Sequence, residues 1–275
     1  MREVEIQVSR VDYLPGDRIE GYVILKCDKS FDCNRVVIEL FGEEETRVVV
    51  GSGDDRRTYR DTVEHLHIEH ELTGEGHIYE GHNRYEFSFL LPRILPPTYD
   101  GMHGWVRYWL EARVEISLAL DPKARLDLYI PFSWPGNPPE ERPLHIVSGE
   151  DETWSFKVEM PSDLMILGER FQFRAIVARD IKLRKLRAHL YHVEYVWPDG
   201  RDTEHWELLN SVEIPDEDLV RDVWLDLWYE TDTSWDPPVS SELMRTEYWL
   251  DVTLDIPWRR DSVLKIPIKA WSREY

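Results

Sequence analysis

YWLEARVEI at residues 108–116 returns as YWLDVTLDI at residues 248–256, with tyrosine, tryptophan, leucine and isoleucine kept and acid matched to acid. Extended back to residue 106, the first stretch puts Val106, Tyr108, Leu110, Ala112, Val114 and Ile116 on one face. Arg107, Trp109, Glu111, Arg113 and Glu115 fall on the other. In the second stretch Tyr248, Leu250, Val252, Leu254 and Ile256 stand against Trp249, Asp251, Thr253 and Asp255. Side chains of a strand alternate sides, so both patterns are those of half-buried β-strands. Wound as helices, the same residues would carry apolar groups all round.

Shorter runs on either side read the same way, at residues 4–8, 19–25, 36–40, 85–91, 126–130, 154–160, 171–177, 186–196, 223–229 and 263–268. Turn residues punctuate them, among them Pro15-Gly16-Asp17, Gly51-Ser52-Gly53-Asp54, Gly74-Glu75-Gly76 and Pro198-Asp199-Gly200. The expected fold is all-β: two tandem antiparallel immunoglobulin-like β-sandwich domains, with no helix beyond a short turn at 216–222. Residues 134–143, with four prolines, cannot donate enough amides for a central strand. This predicts domains at 1–140 and 153–275 with a linker at 141–152. Two further matches keep the same order in both halves: LYIPF (128–132) with LKIPI (264–268), and PGDRI (15–19) with LGERF (167–171). Together they predict duplication of one sandwich.

A chain of 275 residues and 32.8 kDa accommodates two ordinary domains. Its 33 Lys plus Arg against 54 Asp plus Glu, a net charge of -21, make it a poor binder of nucleic acid or of anionic membranes. Two cysteines, Cys27 and Cys33, build neither a disulfide framework nor a four-thiolate zinc site, and are expected as reduced thiols. The N-terminus has no apolar signal core and no run of 18 apolar residues occurs, so a soluble cytoplasmic protein without direct membrane insertion is expected.

The chain resembles the arrestins in the broad sense. That family's N-terminal domain has a Tyr-x-Pro-Gly-Asp turn before a strand with Gly-x-Val, here Tyr13-Leu14-Pro15-Gly16-Asp17 and Gly21-Tyr22-Val23. Next come Val36-Val37-Ile38-Glu39-Leu40-Phe41-Gly42, FSFLLP (87–92), Leu95-Pro96-Pro97-Thr98-Tyr99-Asp100-Gly101 and Gly104-Trp105-Val106-Arg107-Tyr108. Pro257-Trp258 and Lys265-Ile266-Pro267-Ile268 resemble the end of the family's C-terminal domain. The likeness covers nearly the whole chain and is greatest to the α-arrestins and the arrestin-like retromer subunit. It extends to bacterial sporulation-control proteins of arrestin-like fold. It implies an arrestin-like arrangement and a non-catalytic intracellular adaptor or scaffold. Clients would be membrane-protein tails or trafficking and signalling assemblies, with the protein peripheral at membranes through its partners. With the last strand read at 263–268, no regulatory tail is expected after it.

Four features are candidates for sites. Residues 170–187 hold Arg170, Arg174, Arg179, Lys182, Arg184, Lys185 and Arg187 against Asp180 alone. Such a strand selects an acidic partner segment, unless neighbouring acids neutralise it. His65 and His67 share a face on a regular strand and, with His70, offer imidazoles to zinc or copper; the alternative is an exposed polar hairpin. Trp109, Trp224, Trp228 and Trp249 lie opposite the apparent core face, as interface aromatics or as a carbohydrate platform. Pro96-Pro97-Thr98-Tyr99 fits the Pro-Pro-x-Tyr pattern of WW-domain ligands, but stands where the family packs an aromatic. No nucleophile elbow or phosphate-cradling loop occurs, so no catalytic residue and no cofactor are expected. Other readings are a self-associating stress or developmental regulator of the bacterial arrestin-like type, and a carbohydrate- or metal-binding sandwich module. The first makes the chain a homo-oligomer.

Overall fold

A computed structural model describes residues 2–117, 121–134, 136–148, 155–179 and 181–273. The chain divides into two compact units. Unit 1 is Met1–Ser133 with the short segments Val196–Asp202 and Ser241–Met244; unit 2 is Trp134–Tyr195, Thr203–Ser240 and Arg245–Tyr275.

Unit 1 holds β1 (Arg2–Val8), β2 (Arg18–Cys27), β3 (Phe31–Cys33), β4 (Arg35–Val50), β5 (Arg57–Thr73), β6 (Gly76–Ile78), β7 (Gly81–Leu90), β8 (Tyr99–Asp100), β9 (Gly104–Glu115) and β10 (Lys123–Leu128). One sheet runs β1-β2-β7 and the other β10-β9-β4-β5, with β8 added to β9 and a small β3-β6 ribbon beside them. The buried faces carry Ile19, Val23 and Leu25 on β2, Phe87 and Phe89 on β7, Ile38 and Leu40 on β4, and Val106 through Val114 at alternate positions of β9. Each such side chain contributes about 2 kcal/mol by leaving water. Gly21 permits the close approach of β1 to β2. A Cβ there would stand 2.2 Å from the Gln7 carbonyl oxygen and 2.8 Å from the Phe87 ring.

Unit 2 holds β11 (Leu144–Ser148), β12 (Phe156–Met160), β13 (Leu164–Ile166), β14 (Arg170–Val177), β15 (Lys185–Val196), β16 (Thr203–Pro215), β17 (Leu225–Glu230), β18 (Met244–Asp255) and β19 (Ser262–Trp271). Its sheets run β11-β12-β14-β17 and β13-β19-β18-β15-β16. Phe156, Phe171, Phe173, Leu190, Tyr229, Tyr248 and Leu250 belong to its buried core.

The two units repeat one design at the level of register. Tyr108 lies opposite Leu128 and Tyr248 opposite Ile268; Leu110 faces Leu126 as Leu250 faces Ile266. The parallel pairing Asp12 to Tyr129 recurs as Leu164 to Lys269. Both first turns use a left-handed glycine, Gly16 at φ 91° and Gly168 at φ 83°, a backbone shape that a Cβ penalises. Closing bonds match too: Leu91 N–H to Asp17 O at 2.9 Å, and Thr231 N–H to Glu169 O at 3.3 Å. In this register LKIPI (264–268) corresponds to Ala124-Arg125-Leu126-Asp127-Leu128, so the Ile-Pro match with residues 128–132 is four residues out of step.

One other expectation changes, and the remaining segments are placed. Part of the expected linker at 141–152 is β11, which pairs with β12 from Leu144 opposite Met160 onward. Trp154, expected in a strand, lies outside the described residues. The segment from 57 to 73 is one 17-residue strand, β5, which forms an antiparallel hairpin with β4. Asp216–Asp218 form a single 3-10 turn within the expected 216–222.

Candidate partner-binding surfaces

Residues 170–187 are not one strand but run from β14 (Arg170–Val177) into β15 (Lys185–Val196), and their cations are neutralised by acids of neighbouring elements. Arg174 pairs with Glu159, Arg179 with Asp222 at 2.6 Å, Arg184 with Asp255 at 3.0 Å, Lys185 with Glu213 at 2.7 Å and Arg187 with Asp261 at 2.8 Å. Arg170 adds a pair with Glu230 at 2.7 Å. Hydrogen bonding from Arg174 holds the Glu159 carboxyl below its ordinary value, and Lys185 does the same to Glu213. The excess of cations in residues 170–187 is therefore not a free field for an acidic partner. Lys182 lies in the loop before β15, and Asp180 is outside the described residues.

The histidines are not brought together. Two β-bulges on β5 make His65 and Leu72 extra residues against an unbroken β4. The first bulge reverses the alternation, so His65 bonds to Glu44 at 2.8 Å while His67 bonds to Glu39 at 3.0 Å. Glu39 and Glu44 lie five residues apart on a regular strand and thus on opposite faces. His70 sits edge-on to Phe89, 6.1 Å between ring centres. No cluster of three metal-ligating side chains occurs among the described residues.

Glu44 is the polar centre that sequence reasoning missed. Fully buried, it accepts hydrogen bonds from Ser241 Oγ at 2.7 Å and Leu243 N–H at 2.9 Å on one oxygen. The other oxygen takes His65 at 2.8 Å and Glu242 N–H at 3.3 Å, so the carboxylate fixes the 241–244 segment within unit 1. Burial pushes its pKa up, but the bonds from His65, Ser241 and Leu243 outweigh that and leave it lowered.

Of the four tryptophans, Trp109 is only 8% exposed. It stacks on Phe41 at 5.1 Å, Phe41 stacks on His67 at 4.6 Å, and Arg125 covers Trp109 at 4.1 Å. A ladder across β5, β4, β9 and β10 thus closes what the alternation marked as an open face. Trp249 is half-buried beside Trp206, which Lys265 covers at 4.1 Å; Trp224 lies under Arg174 at 4.6 Å. Trp228 alone of the four is half exposed, at 50%. Trp258, in the β18–β19 turn at φ 64°, is 96% exposed and has no counterpart in the alternation that marked the others.

Pro96-Pro97-Thr98-Tyr99 is structural. Tyr99 is buried and pairs with Val106, and Thr98 bonds to Ile130 through both its N–H and its hydroxyl, each at 2.8 Å. Both thiols, Cys27 and Cys33, are free and buried, and burial pushes each up.

The two larger sheets of unit 1 end in β1, β7, β10 and β5. Of these β5 is broken by its two bulges and dense with charge, whereas β1, β7 and β10 pair with their neighbours without a shift. A regular edge is able to accept another strand.

Residues 3–130, which hold this β1 edge and the Tyr13 to Gly21 turn, match the family model of the arrestin (or S-antigen) N-terminal domain. The chain is arrestin-like. A curated relative, arrestin domain-containing protein A of Dictyostelium discoideum, is 26% identical over 146 residues. That similarity covers 46% of this arrestin-like chain and 25% of the relative, so the chain spans about a quarter of the relative's length. No helix among the described residues is long and apolar enough to cross a membrane.

Proposed function

We propose that this arrestin-like chain is a non-catalytic adaptor for protein partners, with unit 2 as its C-terminal-type sandwich. The observation that carries the reading is the match of residues 3–130 to the arrestin N-terminal domain. In the mechanism that fits it, an extended partner segment lies along the free edge of β1. Backbone amides supply affinity there, and side chains at alternate positions supply selectivity. Glu3 and Glu5 on that strand both pair with Lys26 of β2, so it is the chain's net charge of -21 that favours a segment carrying lysine or arginine and speeds its encounter. Cytoplasmic tails of membrane proteins and subunits of trafficking assemblies are clients of this description. The protein would then be cytoplasmic and reach membranes through them.

The test is affinity capture from soluble and detergent-extracted membrane fractions with quantitative mass spectrometry, then hydrogen exchange on the recovered complex. A stoichiometric partner and slowed exchange across residues 2–8 are expected. Recovery of the chain alone from both fractions, or protection that bypasses β1, sinks the reading.

A further inference from the structure

A cleft of about 790 Å³ opens on the solvent side of the four-stranded sheet of unit 2. Pro143, Leu144 and Pro161 line it together with a row of polar side chains and the half-exposed Trp228. Register puts His145 opposite Glu159, Glu159 opposite Arg174 and Arg174 opposite Asp226, so one row crosses all four strands with donors and acceptors alternating. In the next row Gln172 stands opposite Trp228, and Arg170 lies 5.3 Å from the Trp228 ring centre.

The chemistry of this lining is specific. Arg170 and Arg174 balance Glu159 and Asp226, in a chain that is otherwise strongly acidic. Both guanidiniums are already bonded to carboxylates, Arg174 to Glu159 and Arg170 to Glu230. A phosphate or other anion would have to displace those partners and leave them uncompensated. Planar carboxylate, guanidinium and amide groups instead pair well with adjacent hydroxyls, which both donate and accept. Arg170 covers one face of the Trp228 ring, and the half-exposed remainder leaves apolar surface for the C–H groups of a sugar ring. The volume falls within the roughly 300–1,000 Å³ of small-ligand sites.

Unit 1 is an internal control for what the sandwich itself requires. There Gln7 faces Tyr22 where unit 2 has Glu159 facing Arg174, and Glu20 faces Ser88 where unit 2 has Gln172 facing Trp228. Its corresponding sheet has three strands, with none in the place of β11. The same fold thus stands without the tryptophan and without the strand that walls the cleft, while its matching row, Gln7, Tyr22 and Glu86, keeps only the acid at the place of Asp226 and has no arginine or histidine. We propose that this cleft binds a neutral oligosaccharide, stacked on Trp228 and held through Gln172, Arg174, Asp226, Glu159 and His145.

The experiment is calorimetric titration of the full chain with maltoheptaose, cellohexaose, mannohexaose and chitohexaose, each to about 5 mM. At least one should bind. Trp228→Ser, which installs the residue that unit 1 carries at this position, should weaken it tenfold or more, while Ser88→Ala leaves it unchanged. Should Trp228→Ser unfold, Asp226→Ala takes its place with the same expected loss. Absence of heat with all four sugars, or binding that survives these variants, overturns the proposal. So does inositol hexakisphosphate or a proline-rich peptide binding here in a Trp228-dependent manner while the sugars do not. Partner capture through β1 should be the same for Trp228→Ser as for the wild type, so the two readings fail separately.

Discussion

The Tyr108 hydroxyl donates to the carbonyl of Pro96 at 2.7 Å, and the Tyr248 hydroxyl donates to that of Asp236 at 2.6 Å. Each tyrosine reaches back 12 residues, each is 1% exposed, and each is followed by the same Trp-Leu. Burial drives both phenols well above their ordinary pKa, so they remain donors throughout the working pH range. The bond pins the proline-containing approach to each central strand in the same place.

Tyr108→Phe and Tyr248→Phe should each lower stability by about 1–2 kcal/mol, because a part-buried carbonyl loses its donor while the ring packing remains. The two sites lie in different units and share no partner, so the double variant should equal the sum within about 0.5 kcal/mol. Urea denaturation of the four proteins tests this. A cost near zero for either single variant would show the bond to be incidental.

Glu44→Gln should destabilise by about 2 kcal/mol or more at neutral pH, since four bonds converge on a buried carboxylate. The folded pKa of Glu44 is depressed below its ordinary 4.5. Its contribution is therefore fully present above about 4.5 and is lost as pH falls through the lower folded value. Wild-type stability should drop more steeply than that of Glu44→Gln below that pH. Parallel curves of unfolding free energy against pH would contradict the assignment.

Trp109→Ala should cost about 3 kcal/mol, removing a ring closed in by Phe41 and Arg125. Trp228→Ala should cost under about 0.5 kcal/mol, its ring being half in water. Thermal melts of both variants distinguish a structural tryptophan from one held at a binding surface. Equal losses would reverse that division.

The triple change Arg184→Glu, Lys185→Glu and Arg187→Glu places acid against Asp255, Glu213 and Asp261. Those pairs are partly solvent-exposed, so the expected loss is modest, about 1–2 kcal/mol in total, and smaller at 0.5 M salt. Partner capture should be unchanged. Loss of the partner with stability intact would restore the basic segment as its docking site.

β9 and β18 were legible because apolar residues hold one face at every second position over 106–116 and 248–256, with no bulge to shift the period. β5 was not, because the bulges at His65 and Leu72 shift the period twice and scatter its apolar positions. That same reversal undid the expected His65 and His67 pair. The charge segregation of 170–187 was real in sequence but misleading in space, since its acids arrive from as far along the chain as Asp255 and Asp261. Local composition registers the cations of one segment and is blind to the partners that other elements bring to them. The cleft lay beyond reach for a related reason: its walls join four strands that only the register assembles.

The cation–aromatic contact on the smaller sheet of each unit has exchanged its members. In unit 1 Tyr22 of β2 is covered by Arg84 of β7 at 3.4 Å; in unit 2 Arg174 of β14 covers Trp224, just before β17, at 4.6 Å. A duplicated chain risks assembling strands from the wrong copy while it folds. Were β7 to add to β14 in place of β17, Arg84 would meet Arg174, guanidinium against guanidinium. The opposite error, β17 beside β2, would bring Trp224 to Tyr22 without a cation for either ring. Only strands from the same copy would therefore bring a cation to each ring.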